Sequence, residues 1–347
     1  MKRNIQMFGL KYKICLLTFS LLFITIEYSF SQTNDSDDMS GNEGTHINDI
    51  NIGLLIRSGG DFSITGERFN GNRAFQFDAA RVHITGDEDD KVFYRLDLGI
   101  GSEVDFFEAY AGYSFWERFQ FKAGVMRPFI SRDFEMDIGN LEVINRARYS
   151  KVMLNPRETG LTMSINSRYL NGEFGVYNGN GQLFENDNFF YYAGRLSTLL
   201  NIRNTEIQFG GVGSLNMTRD LTVGNSELIS SGFLYVFGGF FELSSPAVLF
   251  RSEFLQSRFD VQNLGGSEEI INGLYASLGV QLTSRNQFLI RVDYLDYSVL
   301  NQTTELATIG WNLEVTDKIK LMINFLAQFD SDWEEVYGVS LRSQFRL

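Results

Sequence analysis

The sequence predicts an all-β protein, a single transmembrane antiparallel β-barrel of about sixteen strands. From residue 50 onward, segments of about ten residues alternate between apolar and polar side chains, as strands do when one face meets lipid and the other meets water. Aromatic residues are abundant, with 32 Phe and 15 Tyr, whereas Pro occurs 3 times. After the amino-terminal segment no run of about 18 apolar residues occurs, so no transmembrane helix is expected.

The amino-terminal segment, residues 1–31, has the features of a secretory signal peptide. A basic start precedes an apolar run, 14–26, that is too short to span a bilayer as a helix. Ser29 and Ser31 occupy the small-residue positions before a cleavage point, and we expect cleavage directly after Ser31. The signal would carry away Cys15, the only cysteine.

The rest of the chain divides into a leader and the barrel. Residues 32–49 are polar and acidic without periodicity, which predicts a flexible periplasmic leader, and residues 50–347 form the barrel. The formal net charge of −13 argues against a nucleic-acid partner. It does not decide the ion preference of a pore, which depends on the charges that line the lumen.

Each predicted strand depends on the same period-two alternation. Strands are predicted to start near residues 50, 74, 91, 105, 119, 158, 170, 189, 205, 232, 247, 272, 286, 303, 317 and 336. In the fourth strand, Phe107 and Ala109 are placed on the lipid face and Glu108 on the lumen face. The chain ends at Leu347 inside an alternating segment, which fits a last strand that pairs with the first and closes the barrel.

The connections between strands alternate in length. Those after even-numbered strands are tight turns, and most of those after odd-numbered strands are longer, as at 58–73, 178–188, 216–231 and 257–271. Outer-membrane barrels have this asymmetry, with tight periplasmic turns and long external loops. It predicts a protein embedded in the lipid of the outer membrane of a Gram-negative bacterium, with both termini in the periplasm.

The longest connection follows strand five, where the alternation stops at Pro128 and resumes at Thr159, far beyond the usual few residues. We interpret it as a third external loop that folds into the lumen and forms its constriction. The alternative is an ordinary external loop that happens to be charged. The predicted constriction and solute-binding residues are the basic side chains of this loop and of the wall that faces it: Arg81, Arg95, Lys122, Arg127, Arg132, Arg146, Arg148 and Arg157.

For each lumen arginine the competing interpretation is an internal salt bridge that only orders the wall. Three same-face neighbours on the strands make such pairing easy. These pairs are Arg95 with Asp97, Arg251 with Glu253, and Arg291 with Asp293.

Three places in the chain resemble one protein family, the phosphate-selective porins O and P. They are FQFDAARVHITG (Phe75–Gly86), AGVMRPFISRDFE (Ala123–Glu135), and INRARYSK followed by NPRETG (144–151 and 155–160). The pair Asn178-Gly179 fits as well, and the resemblance covers about residues 75 to 180. It implies a sixteen-stranded, often trimeric outer-membrane channel, which in some members passes phosphate through basic lumen residues.

The chain departs from the pattern of this family at one point. Where the family tends to show adjacent arginines, this chain has Asp78 and Ala79, and only Arg81 remains. This departure weakens the case for phosphate selectivity.

Catalytic and metal-binding interpretations have little support. The chain has two histidines, His46 and His83, without a flanking signature or ligands at useful spacing. We therefore expect no enzyme and no cofactor, but passive diffusion of small ions or solutes. The family resemblance implies phosphate or another anion as the favoured permeant and a homotrimer as the assembly. The alternative is a non-conducting barrel that acts as an adhesion or assembly scaffold.

Overall fold

A computed structural model describes residues 49–65, 73–88, 91–101, 104–116, 118–155, 157–181, 188–224, 226–330 and 335–347. The predicted signal peptide and nearly all of the predicted leader lie outside these residues. Within them, sixteen antiparallel strands form one closed barrel, in which each strand pairs with its chain neighbours and the last pairs with the first. The strands are β1 (Asp49–Ser63), β2 (Arg73–Glu88), β3 (Val92–Ile100), β4 (Val104–Trp116), β5 (Phe119–Met126), β6 (Glu158–Asn166), β7 (Leu170–Tyr177), β8 (Tyr191–Ile202), β9 (Thr205–Thr222), β10 (Ile229–Ser244), β11 (Val248–Val261), β12 (Ser267–Thr283), β13 (Asn286–Tyr297), β14 (Gln302–Thr316), β15 (Ile319–Asp330) and β16 (Val336–Arg346).

The predicted barrel and its strand number are confirmed, and the strand starts agree closely except at β10 and β12. The predicted loops 216–231 and 257–271 are wrong, because most of each segment belongs to a strand. Arg258 and Glu268 pair across β11 and β12 at 2.5 Å, within a stretch assigned to the second of these loops. Opposite charges on neighbouring strands stabilise their pairing. The hydrogen-bonded ladder of β11 and β12 therefore continues beyond the apolar part of the two strands.

Alternation puts apolar side chains on the outside of the barrel, as predicted. Leu274 and Leu278 of β12 are 40% exposed, Phe325 of β15 is 55% exposed, and Leu341 of β16 is 38% exposed. Leu341 pairs with Gly60 of β1 at the closing seam. Large exposed apolar side chains on regularly paired strands suit a surface that faces lipid.

The closing seam also holds a buried ion pair. Asp61 of β1 and Arg342 of β16 lie 3.1 Å apart, and both side chains are almost fully buried. Asp78 of β2 lies 3.4 Å from Arg342 and 3.2 Å from Arg57 of β1. Asp78, which replaces an expected arginine, therefore contacts two wall arginines and, together with Asp61, balances their charge instead of adding to it.

A β-bulge changes the face of Phe107. Leu98 of β3 pairs with Phe106 and Asp97 pairs with Glu108, so the intervening Phe107 has no partner in the ladder. Phe106 takes the outward position with 56% exposure. Phe107 turns inward and contacts lumen arginines, so its predicted place on the lipid face is wrong. The reason is the extra residue of a bulge, which a strict period of two does not anticipate.

The described part of the connection between β5 and β6, residues 127–155 and 157, lies inside the barrel and is called the inner loop below. It contains two short helices, α1 (Arg132–Glu135) and α2 (Arg148–Met153), with a 3-10 turn (Ile138–Asn140) between them. The Ser131 side chain accepts a hydrogen bond from Phe134 N and caps α1. None of the helices in the described ranges is long and apolar enough to cross a membrane.

Candidate functional site

One side of the inner loop packs on an apolar part of the barrel wall. Ile130, Phe134 and Tyr149 are buried in one cluster with inward-facing residues of β8 to β13. The wall residues of this cluster include Ala193, Val212, Val236, Phe240, Leu255, Phe259, Ile271, Tyr275 and Leu295. A hydrophobic core therefore fills the lumen on this side, where a polar, wetted wall was expected, and any solute must pass elsewhere.

Wall side chains fasten the other side of the inner loop through its backbone carbonyl groups. Arg57 of β1, which is fully buried, donates to Ile138 O at 3.0 Å and to Ile144 O at 3.2 Å. Gln344 of β16 donates to Gly139 O at 2.9 Å. These bonds satisfy carbonyl groups that the irregular backbone of the loop leaves without partners.

Two arginines on the opposite side of the lumen share one aromatic ring. The guanidinium carbon of Arg81 lies 4.2 Å from the centroid of Phe107, and that of Arg157 lies 4.4 Å from the same centroid. Among the described residues, neither arginine forms an ion pair, and the Nε atoms of both are buried without a hydrogen-bond partner. Contact with an aromatic face partly compensates a cation for lost water but leaves its charge in place.

Arg127 and Arg146 of the inner loop complete an arginine cluster with Arg81 and Arg157. Arg127 is paired, with its Nε 2.5 Å from Glu108 and its Nη2 2.7 Å from Asp137. Arg146 instead donates to the carbonyl groups of Asp133 and Met136 and lies 5.5 Å from the ring of Phe134. Three of the four guanidinium groups thus lack a carboxylate partner in the described structure.

The like charges of the cluster act on one another. Burial, together with the charges of Arg127 and Arg81, lowers the pKa of Arg157 to about 9. Burial also lowers the pKa of Arg146 to about 10, against the attraction of Asp133. Both side chains remain charged at neutral pH, so this part of the lumen carries a positive field that an entering anion would relieve.

Two further predicted residues border the cluster. Arg95 is neutralised, with Asp97 at 2.7 Å, Asp137 at 3.0 Å and Glu108 at 3.1 Å. The Lys122 amine lies between two rings, 5.2 Å from Tyr110 and 4.9 Å from Phe129.

The remaining two predicted residues lie elsewhere on the wall. Arg132 reaches Gln208 of β9 and Glu242 of β10, each at 3.2 Å. Arg148 donates to Gln328 of β15 at 2.7 Å. The structure therefore does not bring these two side chains to the arginine cluster.

The same-face pairs predicted for the wall form in two cases of three. Arg95 pairs with Asp97 as expected, and Arg291 pairs with Asp293 at 2.8 Å. The predicted pair of Arg251 with Glu253 is wrong. Arg251 instead contacts Glu142 of the inner loop and Glu242 of β10, because the loop brings a competing carboxylate within reach.

Sequence reasoning missed Phe107 and Arg57. Arg57 lies on the lumen face of β1, two residues before Gly59 and four before Asp61, which share that face. The period-two pattern was therefore sufficient to identify it. Phe107 gave no such signal, because its inward position depends on the bulge.

The closed sixteen-stranded barrel and the charged loop inside it define the class of the protein: it is a porin of an outer membrane, a barrel through which small solutes diffuse passively. The model of the family described as "Phosphate-selective porin O and P" matches residues 50–198. This match confirms the resemblance predicted from the motifs. No curated protein matches the chain.

Solved structures show the same fold at low sequence identity. An anion-selective porin from Comamonas acidovorans superposes with a TM-score of 0.64 at 11% identity, covering 86% of this chain and 99% of that chain. OmpT in its trimer form, an outer membrane protein of Vibrio cholerae, gives 0.65 at 9% identity, with coverage of 86% and 99%. Pseudomonas putida OprB gives 0.63 at 10% identity, with coverage of 86% and 94%.

Proposed function

We propose that this porin favours small anions, and that the arginine cluster of Arg81, Arg127, Arg146 and Arg157 is its constriction. Small ions and solutes move down their own gradients past this cluster, with no cofactor and no chemical turnover. Phosphate is the anion to test first, because of the family match and because guanidinium groups bind its oxygens well.

The observation that carries the proposal is that neither Arg81 nor Arg157 has a carboxylate within 4.0 Å in the described structure. Most lumen arginines are matched by carboxylates, as Arg342 is by Asp61 and Arg291 by Asp293. Arg81 and Arg157 instead lie against the ring of Phe107. A local charge without a partner sets ion preference more strongly than the net charge of the molecule.

The arrangement of the barrel supports further parts of the proposal. Short turns such as 203–204, 284–285 and 317–318 lie at one end of the barrel, and we assign that end, with both termini, to the periplasm. The trimer form of the similar OmpT structure supports a homotrimer. The match to a porin family supports a channel in place of an enzyme.

A second candidate is a non-conducting scaffold. The observation that favours it is the hydrophobic core between the inner loop and β8 to β13, which fills part of the lumen. In this case the arginine cluster would only hold the loop in place.

Planar-bilayer recordings of the refolded protein separate the candidates. The zero-current potential across a potassium chloride gradient should have the polarity of an anion-preferring pore, and added phosphate should block the chloride current. Arg157→Gln should move the potential towards cation preference, whereas Arg258→Gln, which removes an exposed arginine on the outside, should leave it unchanged. Cation preference of the unmodified protein would contradict the anion proposal, and absence of conductance would favour the scaffold.

A further inference from the structure

Glu253 of β11 is a buried carboxylate whose side-chain hydrogen-bond partners in the described structure all come from the inner loop. It is 1% exposed, and no cation lies within 4.0 Å of it in the described structure. One oxygen accepts from Arg132 N at 2.9 Å. The other accepts from Ser131 Oγ at 3.0 Å, Asp133 N at 3.2 Å and Tyr149 OH at 2.6 Å.

The surroundings of Glu253 make this attachment hard to release. Leu255 on the same strand, Phe240 and Tyr275 belong to the hydrophobic cluster against which the loop packs. If the loop moved away, Glu253 would lose its hydrogen-bond donors beside apolar side chains, and a carboxyl group without partners in apolar surroundings is strongly unfavourable. Glu253 therefore holds the start of α1 and Tyr149 at one place on the wall.

The attachment extends to the arginine cluster through Asp133. The backbone of Asp133 donates to Glu253, while its carbonyl group accepts a hydrogen bond from Arg146. The carboxylate of Asp133 also accepts from Ala147 N at 2.9 Å, which fixes the backbone beside Arg146. The position of Arg146 thus depends on the carboxylate of Glu253, which acts on it through Asp133 and not by direct contact.

We propose that Glu253 is the positioning residue of this pore: by fixing α1 and Tyr149 it holds Arg146 in the arginine cluster, and so sets the width and anion preference of the constriction without touching the solute. The proposal rests on the proposed porin function. It also means that solutes pass beside a docked loop, and that the loop does not swing aside during transport.

Glu253→Gln tests this role with almost no change in side-chain size. Its amide nitrogen would face N–H or O–H groups that now donate to a carboxylate oxygen, so at least one of these contacts becomes repulsive. We expect a larger unitary conductance and roughly tenfold weaker block by phosphate, a factor that corresponds to about 1.4 kcal/mol. Heat-modifiable mobility in electrophoresis reports whether the barrel has formed. If the variant folds poorly, Tyr149→Phe removes a single donor and should shift both quantities in the same direction by less.

Glu269→Gln is the matched control. Glu269 of β12 is also fully buried and accepts hydrogen bonds from Ser298 Oγ at 2.9 Å and Val299 N at 3.0 Å, but these belong to the connection after β13 and not to the inner loop. This variant should keep the conductance and phosphate block of the unmodified protein. Unchanged behaviour of Glu253→Gln, or an equal change in Glu269→Gln, would overturn the positioning role. Absence of current in the unmodified protein would instead refute the proposed function.

Discussion

Arg157 lies over the ring of Phe107, with its guanidinium carbon 4.4 Å from the ring centroid. Arg81 contacts the same ring at 4.2 Å. A single aromatic side chain, turned inward by a β-bulge, thus supports two cations that have no carboxylate partner in the described structure. Each contact of this kind is worth roughly 0.5–2 kcal/mol, so the ring offsets part of the repulsion between the two charges.

Replacing Phe107 with Leu should therefore weaken the anion site. Leucine keeps an apolar side chain on the bulge but removes the aromatic face that holds Arg81 and Arg157 side by side. If binding loses about 1 kcal/mol of this positioning, phosphate block becomes roughly fivefold weaker. Block of chloride current by phosphate in planar bilayers measures the change. Phe106→Leu, one residue earlier and on the outward face, is the control and should leave block unchanged. Equal effects of the two substitutions would show that the ring acts only on barrel stability.

Acid should increase the anion preference of the pore. Arg195 of β8 contacts two carboxylates, those of Glu135 of α1 at 2.6 Å and of Glu173 of β7. Burial, and then the charge of Glu173, raises the pKa of Glu135 against the attraction of Arg195. As the pH falls, Glu135 takes up its proton at a pH above 4.5, the ordinary pKa of a glutamate, and the lumen becomes more positive.

Acid should also stabilise the barrel through Glu135. A carboxyl group with a raised pKa binds more protons in the folded state, so the free energy of unfolding contributed by Glu135 increases as pH falls through that range. Zero-current potentials measured from pH 7.5 down to pH 4.5 test the predicted increase in anion preference. Glu135→Gln should show the higher anion preference already at neutral pH and a flatter pH profile. An unaltered pH profile in this variant would assign the titration to another group.

The buried pair at the closing seam should matter more for stability than an exposed pair of similar geometry. Asp61 and Arg342 lie 3.1 Å apart with side chains 2% exposed, whereas Arg258 and Glu268 are 51% and 44% exposed. Asp61→Asn leaves the buried Arg342 with Asp78 alone among the described carboxylates, at 3.4 Å, and should cost about 1–3 kcal/mol, while Glu268→Gln should cost about 1 kcal/mol or less. The temperature at which heat-modifiable mobility is lost ranks the two variants. A larger loss for Glu268→Gln would contradict this ranking.

The sequence predicts the barrel well because its main signal is local. A strand between lipid and lumen must alternate in period two, and that pattern locates strands such as β5 and β6 at their observed starts. The pattern fails where an extra residue enters, as at Phe107, and where alternation continues with charged residues, as at Arg258 and Glu268. Both failures concern which residues face each other across two strands, a relation that one segment alone does not contain.

The site is predictable only in part, because it depends on the folded inner loop. The sequence shows that basic residues such as Arg146 and Arg157 lie in an unusually long connection between two strands. It does not show that Asp137 neutralises Arg127, or that Arg132 turns towards Glu242. Those outcomes depend on how the loop docks, and docking is decided by contacts such as those of Glu253 with Ser131 and Tyr149, more than a hundred residues apart in the chain.

The two glycines after β7 give a final prediction. Gly179 and Gly181 adopt positive φ values of 86° and 85°, and their N–H groups both donate to Glu158 at 3.0 Å. Glu158 directly follows Arg157, so this contact fixes the backbone that presents Arg157 to Phe107. A Cβ at position 179 would lie 2.5 Å from Asn216 Oδ1, and a residue other than glycine is strained at this φ. Gly179→Ala should therefore displace the Glu158 contact and weaken phosphate block.

Gly265→Ala separates backbone strain from displacement of Arg157. Gly265 also has a positive φ of 73°, but a Cβ there would meet nothing within 4 Å, and its turn lies between β11 and β12. Left-handed backbone costs a non-glycine residue roughly 1–2 kcal/mol, so both variants should lower the temperature of unfolding. Only Gly179→Ala should also weaken phosphate block and reduce the anion preference in bilayer recordings. If both variants left these two quantities unchanged, the link between the Glu158 contact and the position of Arg157 would be wrong.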